Sequence, residues 1–287
     1  MERDITGTQR RGFKIFKQLQ LQERDKLKID PITKTEWKEY YGKHWNEQGS
    51  KGEEGTEEER RSEVTNDNED MITIEQLNKV LKHAKNRKSC GLDNLPMELR
   101  KFGGNELKMH ILELFNNIID KNQMPQEWET GMVINIHKKG TKSKCENYRG
   151  ITLLTTAYKL FANIIRNRRN EHMEDEMVEE QCGFRKGRSC IDAIFTVQQI
   201  MEKRREHNLP LFLLFIDYEK GYDNVSRGKL WEIMDNKIPN YLLNTIKCIY
   251  RNTKVRIKFN DGIFSEPIYT NKGVRQGCGL SPVLFNI

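Results

Sequence analysis

Residues 211–217, LFLLFID, run six apolar side chains straight into an aspartate. A short, unbroken apolar stretch bounded by turn residues predicts a strand buried on both faces. The carboxylate of Asp217 then leaves the core at the strand tip, where water and cations reach it. Continued as a strand, the segment would put Asp217, Glu219 and Asp223 on one face; Lys220-Gly221 is the alternative point at which the chain turns.

Composition frames what such an acid can serve. The 287 residues carry a net charge of +7, and residues 71–287 hold 35 of the 49 Lys/Arg but only 25 of the 42 Asp/Glu. That bias suits either a polyanionic partner or a solvated, lysine-rich surface. The six cysteines are scattered without a CxxC, and the six histidines form no HExxH. Neither a zinc site nor a disulfide framework is indicated, and reduced intracellular thiols are expected. No signal peptide opens the chain, and no run reaches the roughly 20 apolar residues of a spanning helix.

Helical spacing of Phe13, Phe16 and Leu19 predicts a helix over 9–29. A capping box at Thr33–Glu36 opens a second, through Trp37, Tyr40 and Tyr41. Residues 46–70 are charged and nearly free of apolar side chains, the composition of a disordered acidic linker. Folding resumes at the Thr73–Gln76 capping box, with Leu77, Val80, Leu81 and Ala84 on one face. Further helices are predicted over 107–119, 156–168, 189–205 (with Ile191, Ile194, Phe195 and Val197 inward), after Ser226, and over 241–250. Strand alternation marks 131–140, and Asn260-Asp261-Gly262 marks a hairpin between KVRIKF and IFSEPIYT. Helices with interspersed antiparallel strands define an α+β chain.

Three stretches carry chemistry. Magnesium takes hard oxygen ligands and keeps most of its waters, so one or two carboxylates plus substrate phosphates hold it; two-metal phosphoryl transfer needs two carboxylates close together. Asp217 fits the first of these, although a strand-end acid also serves as a helix cap or surface ion pair. Asp223, just before Ser226, reads as a complement to a helix dipole. GVRQGCGLSP (273–282) combines glycines that admit a flat or phosphate-bearing ligand, or simply make a tight turn, with Gln276 and a Ser281-Pro282 helix opening. Around a turn at 136–150 stand Lys138, Lys139, Lys142, Lys144 and Arg149, suited to phosphate or to a solvated hairpin.

The order IHKKG…NYRGITLL, QCGFRKGRSCIDAIF, FIDYEKGYDNV, NKGVRQGCGLSP resembles the reverse transcriptase of non-LTR retrotransposons over about residues 71–287. KNRKSCGLDNLPMELR (85–100) resembles that family's amino-terminal extension. The resemblance implies a right-hand polymerase fold: residues 1–45 as the endonuclease–polymerase connector, 46–70 as linker, 71–210 as helical fingers with the extension, and 211–287 as a partial antiparallel palm without a thumb. It implies an RNA template, a DNA primer, deoxynucleoside triphosphates and Mg²⁺. Asp217 matches the first metal ligand and Tyr222 the aromatic that rejects a ribose 2′-hydroxyl. Gln276 and Gly277 match the loop at the incoming nucleotide, Lys138 (or Lys139) and Arg149 the triphosphate contacts, and Phe184 and Arg185 a template contact. Gly221 and Tyr222 stand where the family often has Ala and Phe. Because the sequence stops at Ile287, before the family's aromatic-x-Asp-Asp motif, the expectation is that these 287 residues do not polymerise DNA. The alternative is a decayed element fragment that at most binds nucleic acid.

Overall fold

The computed structural model describes residues 31–45 and 70–287; the helix predicted at 9–29 and the linker over 46–70, Asp70 apart, lie outside them. Helix α1 (Lys34–Trp45) opens on the predicted box, in which the Thr33 amide donates to Glu36 Oε2 at 2.7 Å and the Glu36 amide donates to Thr33 Oγ1 at 3.2 Å. Helix α2 (Ile74–His83) starts on the reciprocal Thr73–Gln76 box. The chain continues through α3 (Gly104–Lys121), β1 (Thr130–His137), β2 (Tyr148–Leu153), α4 (Thr156–Met173), α5 (Cys190–Glu206), α6 (Arg227–Met234), α7 (Asn240–Arg251), β3 (Lys254–Ile257), β4 (Ile268–Tyr269) and α8 (Ser281–Phe285). Among the described residues no helix is long and apolar enough to cross a membrane.

Two apolar cores flank the architecture. The larger gathers α2, α3, α4 and α7, with Leu77, Phe115, Tyr158, Phe161, Leu242 and Ile246 fully buried. Phe115 meets Phe161 edge-on at 5.3 Å and Trp128 at 6.0 Å, the offset geometry that aromatic quadrupoles favour. The smaller core lies between α1 and the sheet. Trp37, Tyr41 and Trp45, four residues apart, stack in series at 5.7 and 4.2 Å and cover Val133, Val255 and Ile257. Tyr41 donates to Asn135 at 2.6 Å and lies over Gly150, whose missing side chain makes room for the phenol.

The sheet order is β2-β1-β3-β4, and it is mixed: β1 is antiparallel to β2 but parallel to β3, while β3 and β4 form the predicted hairpin. An all-antiparallel sheet was expected. The parallel pair arises because the chain returns from β2 to β3 through the whole of α4 to α7, a crossover rather than a hairpin. β2, which had no alternating signal of its own, is fixed by its register with β1, Ile136 facing Arg149 and Val133 facing Thr152.

The central expectation fails at 211–216. Those residues form no strand and are exposed, Phe212 to 92% and Phe215 to 83%, and among the described residues no strand lies beside them to accept their backbone groups. Helix α5 forms as expected on a Ser189–Asp192 capping box. Its apolar stripe nevertheless faces water, with Ile191 74% and Ile194 64% exposed rather than inward. The helix signal and the burial signal therefore separate here: periodicity sets the helix, but burial needs a second layer that no described element supplies. Ser281 is also displaced by one residue from its expected cap role. Leu280 is the cap, and Ser281 Oγ donates instead to the Arg275 carbonyl at 2.8 Å.

Truncating Phe161 to alanine should cost about 3–5 kcal/mol of stability, since a fully buried ring between two aromatics leaves a cavity. Urea unfolding of the Phe161→Ala chain measures it.

Candidate nucleotide site

The site grows from two backbone hydrogen bonds. The Gly273 amide donates to the Val225 carbonyl and the Val274 amide to the Tyr222 carbonyl, both at 2.8 Å, so the glycine loop runs along the segment that follows Asp217. Gly273 has φ +75°, and a Cβ there would lie 2.8 Å from the Asp223 carbonyl oxygen. Only glycine combines that conformation with so close an approach. Gly277, at φ +100°, is pressed against the Thr152 carbonyl of β2 in the same way.

Two guanidinium groups hold the loop in place, and neither was singled out in the sequence. Arg227, at the start of α6, donates to the carbonyls of Thr270 (2.8 Å), Gly273 (3.0 Å), Tyr250 (3.0 Å) and Lys272 (3.3 Å), and lies over the Tyr250 ring. Arg275 is buried. It donates to the Trp128 carbonyl at 2.9 Å and to that of Glu129, and sits 5.2 Å from the Tyr158 ring centre. A planar fork with five donors suits a loop whose carbonyls have no strand partner. The only sequence signal for either was an arginine adjoining a candidate motif.

Asp223, expected to complement a helix dipole, bonds two side chains. Its Oδ1 accepts from Gln276 Nε2 at 3.0 Å and from Trp45 Nε1 at 3.2 Å, drawing α1 and the glycine loop onto one carboxylate. Lys220, in the left-handed region at φ 50°, reaches His44 and lies 5.0 Å from the Tyr40 ring centre. The Asn271 amide donates to the Trp45 carbonyl at 3.1 Å.

Tyr222 stacks on Phe285 at 4.9 Å with the rings within 7° of parallel. Gly221 admits that ring, because a Cβ there would come within 2.9 Å of Phe285 Cζ. Partial burial pushes the Tyr222 phenol above its ordinary pKa, and the charge of Arg149 on β2 acts in the opposite direction. Gln276 thus meets Asp223, the neighbour of Tyr222 in sequence, and Gly277 presses on Thr152 of β2, the strand that carries Arg149. Lys138 stands at the far end of the β1–β2 hairpin, its amide donating to the Asn147 carbonyl at 2.8 Å and its side chain exposed; Lys139 is exposed beside it.

Asp217 is exposed, and among the described residues no hydrogen bond or ion pair engages its carboxylate. An accessible carboxylate of this kind fits one hard oxygen ligand of a divalent ion. Among the described residues, however, no three His, Cys, Asp or Glu side chains gather as a metal set. Glu219 and Asp223 do not line up with Asp217, because the chain turns at 219–220 into a 3₁₀ turn at Gly221–Asn224. Of the pair at 184–185, Phe184 is 64% exposed at φ 57°, whereas Arg185 is committed to Glu174 (2.8 Å) and the Val178 carbonyl (2.9 Å).

Residues 136–287 match the family described as reverse transcriptase (RNA-dependent DNA polymerase). The chain is 27% identical over 230 residues to the transposon TX1 uncharacterized 149 kDa protein of Xenopus laevis, covering 80% of this chain and 17% of that protein. It is 24% identical over 219 residues to the probable RNA-directed DNA polymerase from transposon BS of Drosophila melanogaster, covering 75% and 24%. With the RNA-directed DNA polymerase from mobile element jockey of Drosophila funebris it shares 24% over 221 residues, covering 76% and 24%. The family match spans more than half of the sequence, and the chain belongs to the reverse transcriptases. Within them it is a domain of the non-LTR retrotransposon kind. It spans 17–24% of the length of these three relatives.

Gly273→Ala should destabilise the fold by about 1–3 kcal/mol through left-handed strain and backbone overlap. Gly228→Ala, in α6 with open space around the added carbon, should be neutral or stabilising by roughly 0.5–1 kcal/mol. Chemical denaturation of the two variants side by side checks the contrast.

Proposed function

We propose that this domain performs RNA-directed DNA synthesis chemistry, with residues 71–210 as fingers and amino-terminal extension and 211–287 as part of the palm. Residues 1–45 join it to upstream sequence, and 46–70 are a linker. The observation that supports this reading best is the meeting of Asp223 and Gln276, 53 residues apart in sequence, beside Tyr222 and Arg149. Glycine backbone, a glutamine amide, an aromatic face and a guanidinium form a surface suited to a nucleotide: the ring for the sugar, the fork for phosphate.

In this reading Tyr222 excludes a ribose 2′-hydroxyl by contact, and its stacking on Phe285 supplies the rigidity that exclusion needs. Arg149 and Lys138 neutralise triphosphate charge, with Gln276 and Gly277 at the base and sugar. Phe184 offers an exposed ring for a template base. Arg185 supports the loop that carries Phe184, through its bonds to Glu174 and Val178, and does not itself meet the template. Reverse transcriptases generally use divalent ions. We assign Mg²⁺, with Asp217 supplying one oxygen ligand; the ion's chemistry when bound is to neutralise phosphate charge and polarise the reacting oxygens. RNA template, DNA primer and deoxynucleoside triphosphates are the proposed partners.

Nucleic-acid binding without chemistry is the second reading. The exposed Lys138, Lys139, Lys142, Lys144 and Arg149, with no cluster of three metal-ligating side chains among the described residues, favour it. Titration of the chain with an RNA–DNA hybrid, and with a fluorescent deoxynucleoside triphosphate with and without Mg²⁺, separates the two. Polymerase chemistry requires Mg²⁺-dependent nucleotide binding that Asp217→Asn removes while hybrid binding persists and weakens steeply with salt. Hybrid binding with no Mg²⁺-dependent nucleotide binding selects the second reading.

A further inference from the structure

Helix α1 was expected to be a connector, yet its last turn meets the loop and the motif that form the candidate site. The Trp45 carbonyl accepts from the Asn271 amide, His44 meets Lys220, and Trp45 Nε1 reaches the oxygen of Asp223 that also holds Gln276. An ionised carboxylate has no proton to give, so the group Gln276 turns toward Asp223 is its NH₂. The amide's other end, the acceptor Oε1, is then directed away from Asp223; among the described residues no donor engages it. Trp45, Thr152, Asp223, Arg227 and Gln276 line a common cleft.

We propose that Asp223 is a positioning residue that fixes the Gln276 amide with its acceptor oxygen toward a bound nucleotide, and that Trp45 of α1 holds Asp223 in place, making residues 34–45 an integral part of the site. This rests on the nucleotide-site reading above. It adds a direction to the recognition: Gln276 selects ligands that present a donor at its position. The indole N–H matters because it fixes the carboxylate oxygen from a second direction. A carboxylate with one amide contact alone is free to rotate, and the amide with it.

A double-mutant cycle on binding of a fluorescent deoxynucleoside triphosphate, with Mg²⁺ and an RNA–DNA hybrid, tests the relay. Asp223→Asn removes the obligate acceptor and lets the amide flip, so affinity should fall by a factor of roughly 5–30, the factor that one or two kcal/mol makes. Gln276→Ala should fall by a similar factor, and adding Asp223→Asn to Gln276→Ala should change nothing more. Trp45→Phe keeps an aromatic ring on Tyr41 but deletes the N–H donor along with part of the indole; it should lose affinity in the same direction by less, again only while Gln276 is present, and a loss that persists without Gln276 is packing alone. Thermal melting of each variant reports folding, and if Asp223→Asn fails to fold the Trp45→Phe arm carries the cycle. An equal loss in both backgrounds, or no loss with Gln276 intact, overturns the relay while leaving the nucleotide site standing. Failure of the unaltered chain to bind the nucleotide overturns both.

Discussion

Two backbone hydrogen bonds, from Gly273 and Val274 to Val225 and Tyr222, bring two motifs of this domain into register. They require φ +75° at Gly273 and an approach to the Asp223 carbonyl that leaves no space for a side chain. Once they form, other placements follow. Arg227 finds the carbonyls of 270, 272 and 273 within its fork, Arg275 turns into the core beneath Tyr158, and Gln276 arrives beside Asp223. Buried polar groups in such a loop cost free energy unless paired; Arg227 pairs the carbonyls of 270, 272 and 273, and Arg275 ties the loop to those of Trp128 and Glu129. Charge-assisted bonds from these two arginines hold the loop alongside its two backbone bonds, and the glycines make the geometry possible.

Much of the fold was legible where local chemistry decides the outcome. Capping boxes at Thr33, Thr73 and Ser189 started helices at the expected residues, and Asn260-Asp261-Gly262 made its hairpin. Legibility failed where a second layer decides. LFLLFI has the composition of a buried strand, but burial belongs to neighbours that composition does not name, and the described residues leave it exposed. The sheet's parallel pair was hidden for a related reason, since pairing across four helices leaves no trace in local pattern.

At the site, the residues marked by motif order have partners that no local pattern names. Gln276 and Gly277, marked in the sequence, meet Asp223 and the Thr152 carbonyl of β2. Asp223 looked like a helix complement because it precedes Ser226. Its actual ligands, Trp45 and Gln276, lie 178 and 53 residues away, beyond any spacing rule. Arg185 was marked by the resemblance of its GFR segment to a template contact, whereas Glu174, just past the end of α4, claims its fork.

The packing of Phe285 against Tyr222 bears on how any ligand is met there. With Gly221 leaving room for the Phe285 ring and that ring parallel behind it, the phenol is backed by the end of α8. Displacing the phenol means breaking a parallel ring stack as well as moving a side chain.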